Sequence, residues 1–228
     1  DLHDTQHSFP TRRSSDLYMK QNSPYTATIT GCGFLYYEFL RILPLLMSED
    51  SARLLKEEID NNLLFQVNSQ KARLRFLAEF KRRYNVLPIS FWNDFFKMNE
   101  LSQRAGLLYV ILKTYRLIFD FHFNVTVKRW NSVDQRLCKT DIMMELSDLS
   151  SRDPFVDSWT DNTKSRCASQ YLTILRQAGL LQEKTNKLLP IHLAPADYEY
   201  YIRSGEEWFL EACLLYPYEV NDIKTKLA

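Results

Sequence analysis

Residue patterns that support covalent or metal chemistry are missing from this sequence. It has no phosphate-binding G-x-x-x-x-G-K-[ST] loop, no G-x-S-x-G nucleophile turn and no H-E-x-x-H zinc motif. The four cysteines are far apart, which excludes a C-x-x-C pair and favours a reducing compartment with buried free thiols. They are Cys32, Cys138, Cys167 and Cys213. We therefore expect no enzymatic activity, no catalytic residues, no metal site and no cofactor.

The remaining side chains with titratable chemistry have simpler explanations. His122 lies in an aromatic stretch, where we expect a hydrogen-bonded core histidine, and His192 has no acidic or cysteine partner nearby in sequence. Asp153, Asp157 and Asp161 recur every four residues. We expect them to point into solvent and to cap helices rather than to hold a cation.

Basic side chains offer a different chemistry, because Lys and Arg neutralise phosphates. Residues 70 to 84 carry six cations against one anion, Glu79. Leu74, Leu77, Phe80 and Tyr84 recur at helical spacing and predict a helix capped by Ser69. Its candidate nucleic-acid contacts are Lys71, Arg73, Arg75, Arg82 and Arg83. A solvated basic helix is the alternative interpretation.

A second basic helix is predicted over residues 164 to 178, with Gly179 as its stop and Asn162 or Thr163 as its cap. Its inward face would consist of Ala168, Tyr171, Leu172, Leu175 and Ala178. The outward side chains that could meet phosphates or base edges are Lys164, Ser165, Arg166, Ser169, Gln170 and Thr173.

The segments around this helix follow the order of a winged helix-turn-helix, in which the second helix enters the major groove. A helix is predicted over residues 133 to 148. After Gly179, two short apolar runs flank a polar turn and predict a β-hairpin, with Lys184 and Lys187 at the tip of the wing. Arg129 joins the candidates, because residues 104 to 139 hold seven cations and two anions. A winged helix used only for protein contacts is the alternative.

The predicted elements that position these side chains indicate a mainly α protein with helix-turn-helix character. It would consist of two helical subdomains, residues 18–132 and residues 133–228. The second would be a winged helix with a short β-hairpin and an acidic C-terminal helix. Four further helices are expected. The first spans residues 34–43 and is ended or kinked by Pro44, and the second spans residues 49–60 and is capped by Ser48. The third is capped by Ser90, and the fourth is one buried helix at 101–121. No segment is predicted to span a membrane, because charged residues interrupt the most apolar segment, residues 105 to 123.

Bulk charge does not identify a partner. The 228 residues contain 29 Lys and Arg against 28 Asp and Glu, a net charge of +1. Residues 197 to 222 are the acidic exception, with seven carboxylates against Arg203.

The first 17 residues, DLHDTQHSFPTRRSSDL, have no helical or strand period and resemble translated sequencing-adapter read-through. We treat them as a non-native extension that packs against nothing, with a natural start near Met19. No secretory signal is recognised, and we expect a cytoplasmic protein.

Three stretches together resemble the BrxA family of the BREX phage-defence systems: YTATITGCGFLYYEF at 25–39, NNLLFQVNSQKARLRFLAEFKRRYNVL at 61–87 and LLYVILKTYRLIFDF at 107–121. The match spans residues 24 to about 200, through helical patterns rather than catalytic motifs. It implies a small, mostly helical, non-enzymatic cytoplasmic protein that contacts DNA and works beside other BREX proteins. The family is also said to resemble NusB-like RNA-binding proteins. It supplies no sharply defined site residues.

Three functions stay open at this point. The first is docking on duplex DNA, mainly through phosphates, as an accessory component of the defence system. The second is a protein–protein scaffold without nucleic-acid contact, for which the acidic stretch and aromatic residues such as Trp208 and Phe209 would be the surface. The third is RNA binding.

Overall fold

The N-terminal half of the structure is a series of helices preceded by a short 3-10 turn. The computed structural model describes residues 22–227, so the 1–17 extension lies outside the described residues. The turn is Thr28–Gly31. The helices are α1 Tyr36–Met47, α2 Ser51–Asn61, α3 Gln70–Tyr84, α4 Ile89–Phe95, α5 Glu100–Thr114 and α6 Arg116–Phe121.

The C-terminal half is also helical. A π-helical turn, His122–Val127, and a last turn, Lys128–Trp130, extend α6. The remaining helices are α7 Lys139–Arg152, α8 Pro154–Asp157, α9 Asp161–Ala178, α10 Glu199–Arg203, α11 Trp208–Ala212 and α12 Pro217–Leu227, with a 3-10 turn, Pro195–Tyr198, before α10. The prediction of a mainly α protein is confirmed. The division into two subdomains stays a prediction.

Helix α5 lies at the centre of the core, and every residue from Ala105 to Leu112 is buried. Its Tyr109 packs against Tyr201 and Phe209, with ring centroids 4.9 and 5.2 Å away. Such a helix has apolar side chains all round, which is typical of a fully buried element.

Two helix boundaries differ from the prediction. Pro44 lies inside α1 rather than ending it. Proline removes one backbone hydrogen bond, and burial of Leu43 and Leu46 on either side keeps this last turn helical. The single helix expected over 101–121 is interrupted at Tyr115, whose backbone is extended with φ −121° and ψ 103°. The buried hydroxyl of Tyr115 is then placed to donate to Glu79 Oε2, 2.7 Å away.

The predicted caps had mixed outcomes. Ser69 caps α3, since its side chain accepts from the backbone N–H of Ala72. The caps at Ser48 and Ser90 are wrong, because α2 starts after Asp50 and α4 starts before Ser90.

The predicted β-hairpin is not formed by strands. Within residues 22–227 there are only two isolated antiparallel bridges, Arg136 with Lys187 and Leu181 with Leu188. The polar turn is present, since the N–H of Asn186 donates to the carbonyl of Gln182 at 3.0 Å. The flanking apolar runs are two residues long, too short for a ladder, and Pro190 follows the second run. The winged helix with a β-hairpin is therefore not supported.

None of the helices within the described part of the chain is long and apolar enough to cross a bilayer.

Candidate nucleic-acid interface

One face of α3 carries the exposed cations. From Lys71 onward, residues spaced three or four positions apart lie on one side of the helix and form a stripe that is exposed to solvent. Its members are Lys71, Leu74, Arg75, Ala78, Lys81 and Arg82. Leu74 was predicted to face inward, yet its side chain is 53% exposed. Within residues 22–227, Arg82 is the one cation of this stripe with a carboxylate nearby, since its Nη1 lies 3.6 Å from Glu79 Oε2.

Two arginines of α3 are buried and cannot meet a phosphate in this arrangement, which corrects their place among the candidates. Arg73 Nε donates to the carbonyl of Ile59 at 2.8 Å, and its Nη1 donates to that of Val67 at 2.6 Å. These carbonyls lie at the end of α2 and in the loop after it, where helix geometry leaves acceptors without backbone partners. Arg73 therefore joins α2 to α3.

Arg83 is fully buried and makes a different set of contacts. Its guanidinium donates to the carbonyls of Gly33 and Phe34 and, through Nε, to Tyr115 Oη at 3.2 Å. It ties the N-terminal segment to the core.

Helix α9 presents the second set of candidates. Its predicted inward residues are all buried: Ala168, Tyr171, Leu172, Leu175 and Ala178. The cap is Thr160, two or three residues earlier than predicted, and Gly179 ends the helix at φ 91°. A positive φ at the helix end is a position that glycine adopts without strain.

The outward residues of α9 differ in solvent exposure and in the partners that their side chains already have. Arg166 and Ser169 are exposed. Lys164 is only 15% exposed in its side chain, with Nζ 3.9 Å from Asp157 Oδ1. Ser165 Oγ accepts from Lys139 Nζ at 2.7 Å. Thr173 donates its hydroxyl to the carbonyl of Ser169 at 3.1 Å.

Residues 28–33, here called the bridging segment, contact both basic helices. Arg82 Nη1 donates to Thr28 Oγ1 at 3.2 Å. A Cβ added at Gly31 would lie 3.2 Å from Cδ of Arg75, and one added at Gly33 would lie 2.4 Å from Nε2 of Gln170. The bridging segment thus brings the exposed side of α3 and the outward side of α9 together. Gln170 packs against the backbone of Gly33 and is only partly exposed, which limits its access to base edges.

The last three candidates lie apart from the bridging segment. Lys184 and Lys187 are exposed on the turn after α9. Arg129 is paired with Asp141, a partner that the sequence does not place next to it.

Lys81 and Lys139 are absent from the predicted set, although both are exposed. Continuing the α3 stripe by ten residues from Lys71 would have found Lys81. Nothing in the local sequence places Lys139 beside Ser165, because the two residues lie on different helices, α7 and α9.

Three of the four thiols and His122 are buried, whereas Cys138, expected to be buried, and His192 are exposed. Burial raises the pKa of Cys167 to about 11 and also raises the pKa of Cys32, so these groups stay thiols. Burial lowers the pKa of His122 to about 4. Within residues 22–227, no group of three or more His, Cys, Asp or Glu side chains is arranged to hold a metal ion.

Comparison with known proteins gives a consistent result. The sequence profile named BrxA matches residues 23–204. The BREX protein BrxA of Bacillus cereus (strain H3081.97) is 25% identical over 187 residues, which cover 82% of this chain and 94% of that protein. A crystal structure of an uncharacterized protein from Magnetospirillum magneticum superimposes with a TM-score of 0.68 over 84% of this chain and 98% of that one. At 21% identity, that likeness shows a shared fold and no more.

Proposed function

The chain belongs to the BrxA family, and from that membership we propose that it is an accessory component of a BREX defence system. We propose that it docks on duplex DNA, mainly through phosphate contacts and without bond-making chemistry. Other BREX proteins are its proposed protein partners.

The observation that carries the DNA proposal is the meeting of two basic helices at the bridging segment. Arg75 and Arg82 approach it from α3, and Gln170 approaches it from α9. Two cations of α3 and a polar side chain of α9 therefore border one segment. A surface of this kind can follow a sugar–phosphate backbone, which presents a negative charge about every 1.7 Å of duplex.

Exposed cations without a carboxylate partner are frequent in this region, although Arg41, Lys56 and Lys128 are similar elsewhere among residues 22–227. Surface cations near the C-terminus are neutralised by carboxylates, as in Arg203 with Glu199 and Lys226 with Asp222. On α3, around α9 and on the turn that follows, several exposed cations have no carboxylate within 4.0 Å among residues 22–227. They are Lys71, Arg75, Lys81, Lys139, Arg166, Lys184 and Lys187. Unpaired cations are the ones that can release counterions from DNA on binding.

The order α7, α8, α9 and polar turn supports a helix-turn-helix use of this region. In the proposal α9 is the recognition helix, and Arg166 and Ser169 are among the exposed polar side chains of its N-terminal half, with Asp161 and Asn162 in the first turn. Backbone bonds from Leu137 to Asn186 and from Leu188 to Gln135, both 2.9 Å, hold the turn beside the start of α7. Lys184 and Lys187 on that turn would reach a flanking phosphate.

The test is the salt dependence of binding to a mixed-sequence duplex of about 25 base pairs, followed by fluorescence anisotropy. Lys71→Gln, Arg75→Gln and Arg166→Gln together remove three unpaired cations. Each lost phosphate contact lowers the slope of log affinity against log salt by about 0.9. We expect the slope to fall by up to about 2.7 and the affinity to fall on the order of 100-fold at 0.1 M salt.

The matched control removes three exposed cations that already sit in surface ion pairs: Arg53→Gln, Lys97→Gln and Arg203→Gln. It changes net charge equally and should keep the slope of the parent protein. Equal losses in both triple variants would show that overall charge, not this surface, governs binding. No duplex binding at 50 mM salt would refute the proposed function, and tighter binding to duplex RNA than to DNA would assign the surface to RNA.

A further inference from the structure

A groove on the C-terminal side of the molecule has no role in the DNA proposal. It has a volume of about 420 Å³, and its apolar surface comes from Trp130, Trp208, Leu215 and Val220. Specific pockets in proteins have volumes of about 300–1,000 Å³. Most of the wall comes from α11, α12 and the link between them, beyond the residues 23–204 that match the family.

The charged residues that line this groove are all acidic. Glu207 and Glu211 line it, and no Lys, Arg or His is among its lining residues. Glu207 is paired with Lys224, which does not line the groove. Glu211 is exposed and has no cation within 4.0 Å among the described residues. One carboxylate is therefore free to meet a positive group at the edge of an apolar surface.

The aromatic side chains add a second feature. Trp130 stacks on Tyr216 with a centroid distance of 5.1 Å, and Tyr216 stacks on Tyr218 at 5.8 Å. The Tyr218 side chain is 70% exposed. The indole N–H of Trp130 is buried without a hydrogen-bond partner among the described residues. Indole rings beside a carboxylate attract organic cations through the ring face as well as through charge.

We infer that this groove binds an arginine- or lysine-bearing segment of a partner protein. The cationic head group meets Glu211 beside the partly exposed indole of Trp208, and an apolar neighbour of the cation fills the space beside Leu215 and Val220. The groove suits a peptide, because a peptide segment presents an apolar side chain and a positive charge next to each other. Protein interfaces are often anchored by such side chains in a pocket. The site is separate from the bridging segment, so the inference does not depend on DNA binding.

The experiment uses the full chain and two peptides, acetyl-Leu-Arg-Ala-Leu-Arg-amide and the same peptide with citrulline at both Arg positions. Citrulline keeps the shape and removes the charge. Binding is followed by the indole ¹H–¹⁵N resonances of Trp130 and Trp208, assigned with Trp→Phe variants. We expect the Arg peptide to shift both resonances and the citrulline peptide to bind at least tenfold more weakly.

Glu211→Arg should weaken the Arg peptide at least tenfold. The matched control Glu49→Arg changes an exposed carboxylate on the α1–α2 loop that has no cation within 4.0 Å among residues 22–227, and it should stay within twofold of the parent. Both variants gain the same charge and should bind duplex DNA equally, which separates this inference from the proposed function. Equal binding of the two peptides, or no effect of Glu211→Arg, overturns the inference. A dimer in sedimentation equilibrium that Glu211→Arg dissociates would make a second copy of this chain the occupant and also overturns it.

Discussion

The buried imidazole of His122 makes the stability of this protein depend on pH in a calculable way. Its Nε2 lies 2.8 Å from the carbonyl of Ala212, and its Nδ1 lies 3.0 Å from Tyr171 Oη. A carbonyl can only accept, so Nε2 carries the proton and Nδ1 accepts from the tyrosine hydroxyl. Tyr171 Oη is also 2.6 Å from Thr126 Oγ1, which can donate to it. The site is satisfied with a neutral ring and has no place for a second proton.

The direction of the pH effect follows from the pKa. Burial lowers the pKa of His122 to about 4, against about 6.5 in an unfolded chain. Between these values the unfolded state binds the proton and the folded state does not, so acid favours unfolding. The stability is complete above about pH 6.5 and is lost as pH falls toward 4. From pH 7 to pH 5 the loss in free energy of unfolding from this one group is about 2 kcal/mol.

The assay is urea unfolding at pH 7 and pH 5, followed by far-UV circular dichroism. His122→Gln replaces the titrating ring with a neutral amide that can still donate to the Ala212 carbonyl. It should lower stability at pH 7 by about 1–3 kcal/mol, because the Tyr171 hydroxyl loses its acceptor. The difference between pH 7 and pH 5 should shrink by about 2 kcal/mol. His192→Gln, at an exposed histidine bonded to Glu219, is the matched control. A His122→Gln protein with the full pH dependence of the parent would show that this histidine is not the cause.

The buried and exposed basic residues of α3 should separate stability from binding. Arg83→Gln leaves two buried carbonyls and Tyr115 without their guanidinium and should cost about 3–5 kcal/mol in urea unfolding, while Lys71→Gln should cost under about 0.5 kcal/mol; similar losses in the two variants would contradict the assignment of Arg83. Gly33→Ala places a Cβ at φ 55° against Gln170 and should destabilise by at least about 1–2 kcal/mol. Adding Gln170→Ala should recover only the contact part of that loss, and full recovery in a double-mutant cycle would rule out backbone strain at Gly33.

Helical periodicity predicted the elements well where the apolar pattern was regular. The bounds of α3 and its Ser69 cap agree with the structure, and the inward face of α9 is correct at all five positions. These features depend on local spacing, which is present in the sequence. The interruption at Tyr115 was not predicted, and the side-chain contact that accompanies it is with Glu79, 36 positions earlier in the chain.

The same limit explains the errors on α3. Leu74 was assigned inward because it is apolar, and Arg73 outward because it is charged. The inward stripe in the structure passes through Arg73, Leu77 and Phe80, spaced by four and three residues. An arginine at this position satisfies carbonyls at the end of α2, and those acceptors become visible only when α2 and α3 pack together. A prediction from residue type alone therefore exchanges these two neighbours.

The burial of Arg73 and Arg83 changes what can be expected of α3 as a DNA-binding element. Six cations in the sequence would contribute about 5.4 to the salt slope if each met a phosphate. Four of them are exposed, namely Lys71, Arg75, Lys81 and Arg82, which limits the contribution of α3 to about 3.6. Arg82 must also give up part of its interaction with Glu79 to reach a phosphate. If the proposed DNA binding has a steeper slope than these four contacts allow, further phosphate contacts must come from α9 and the turn after it.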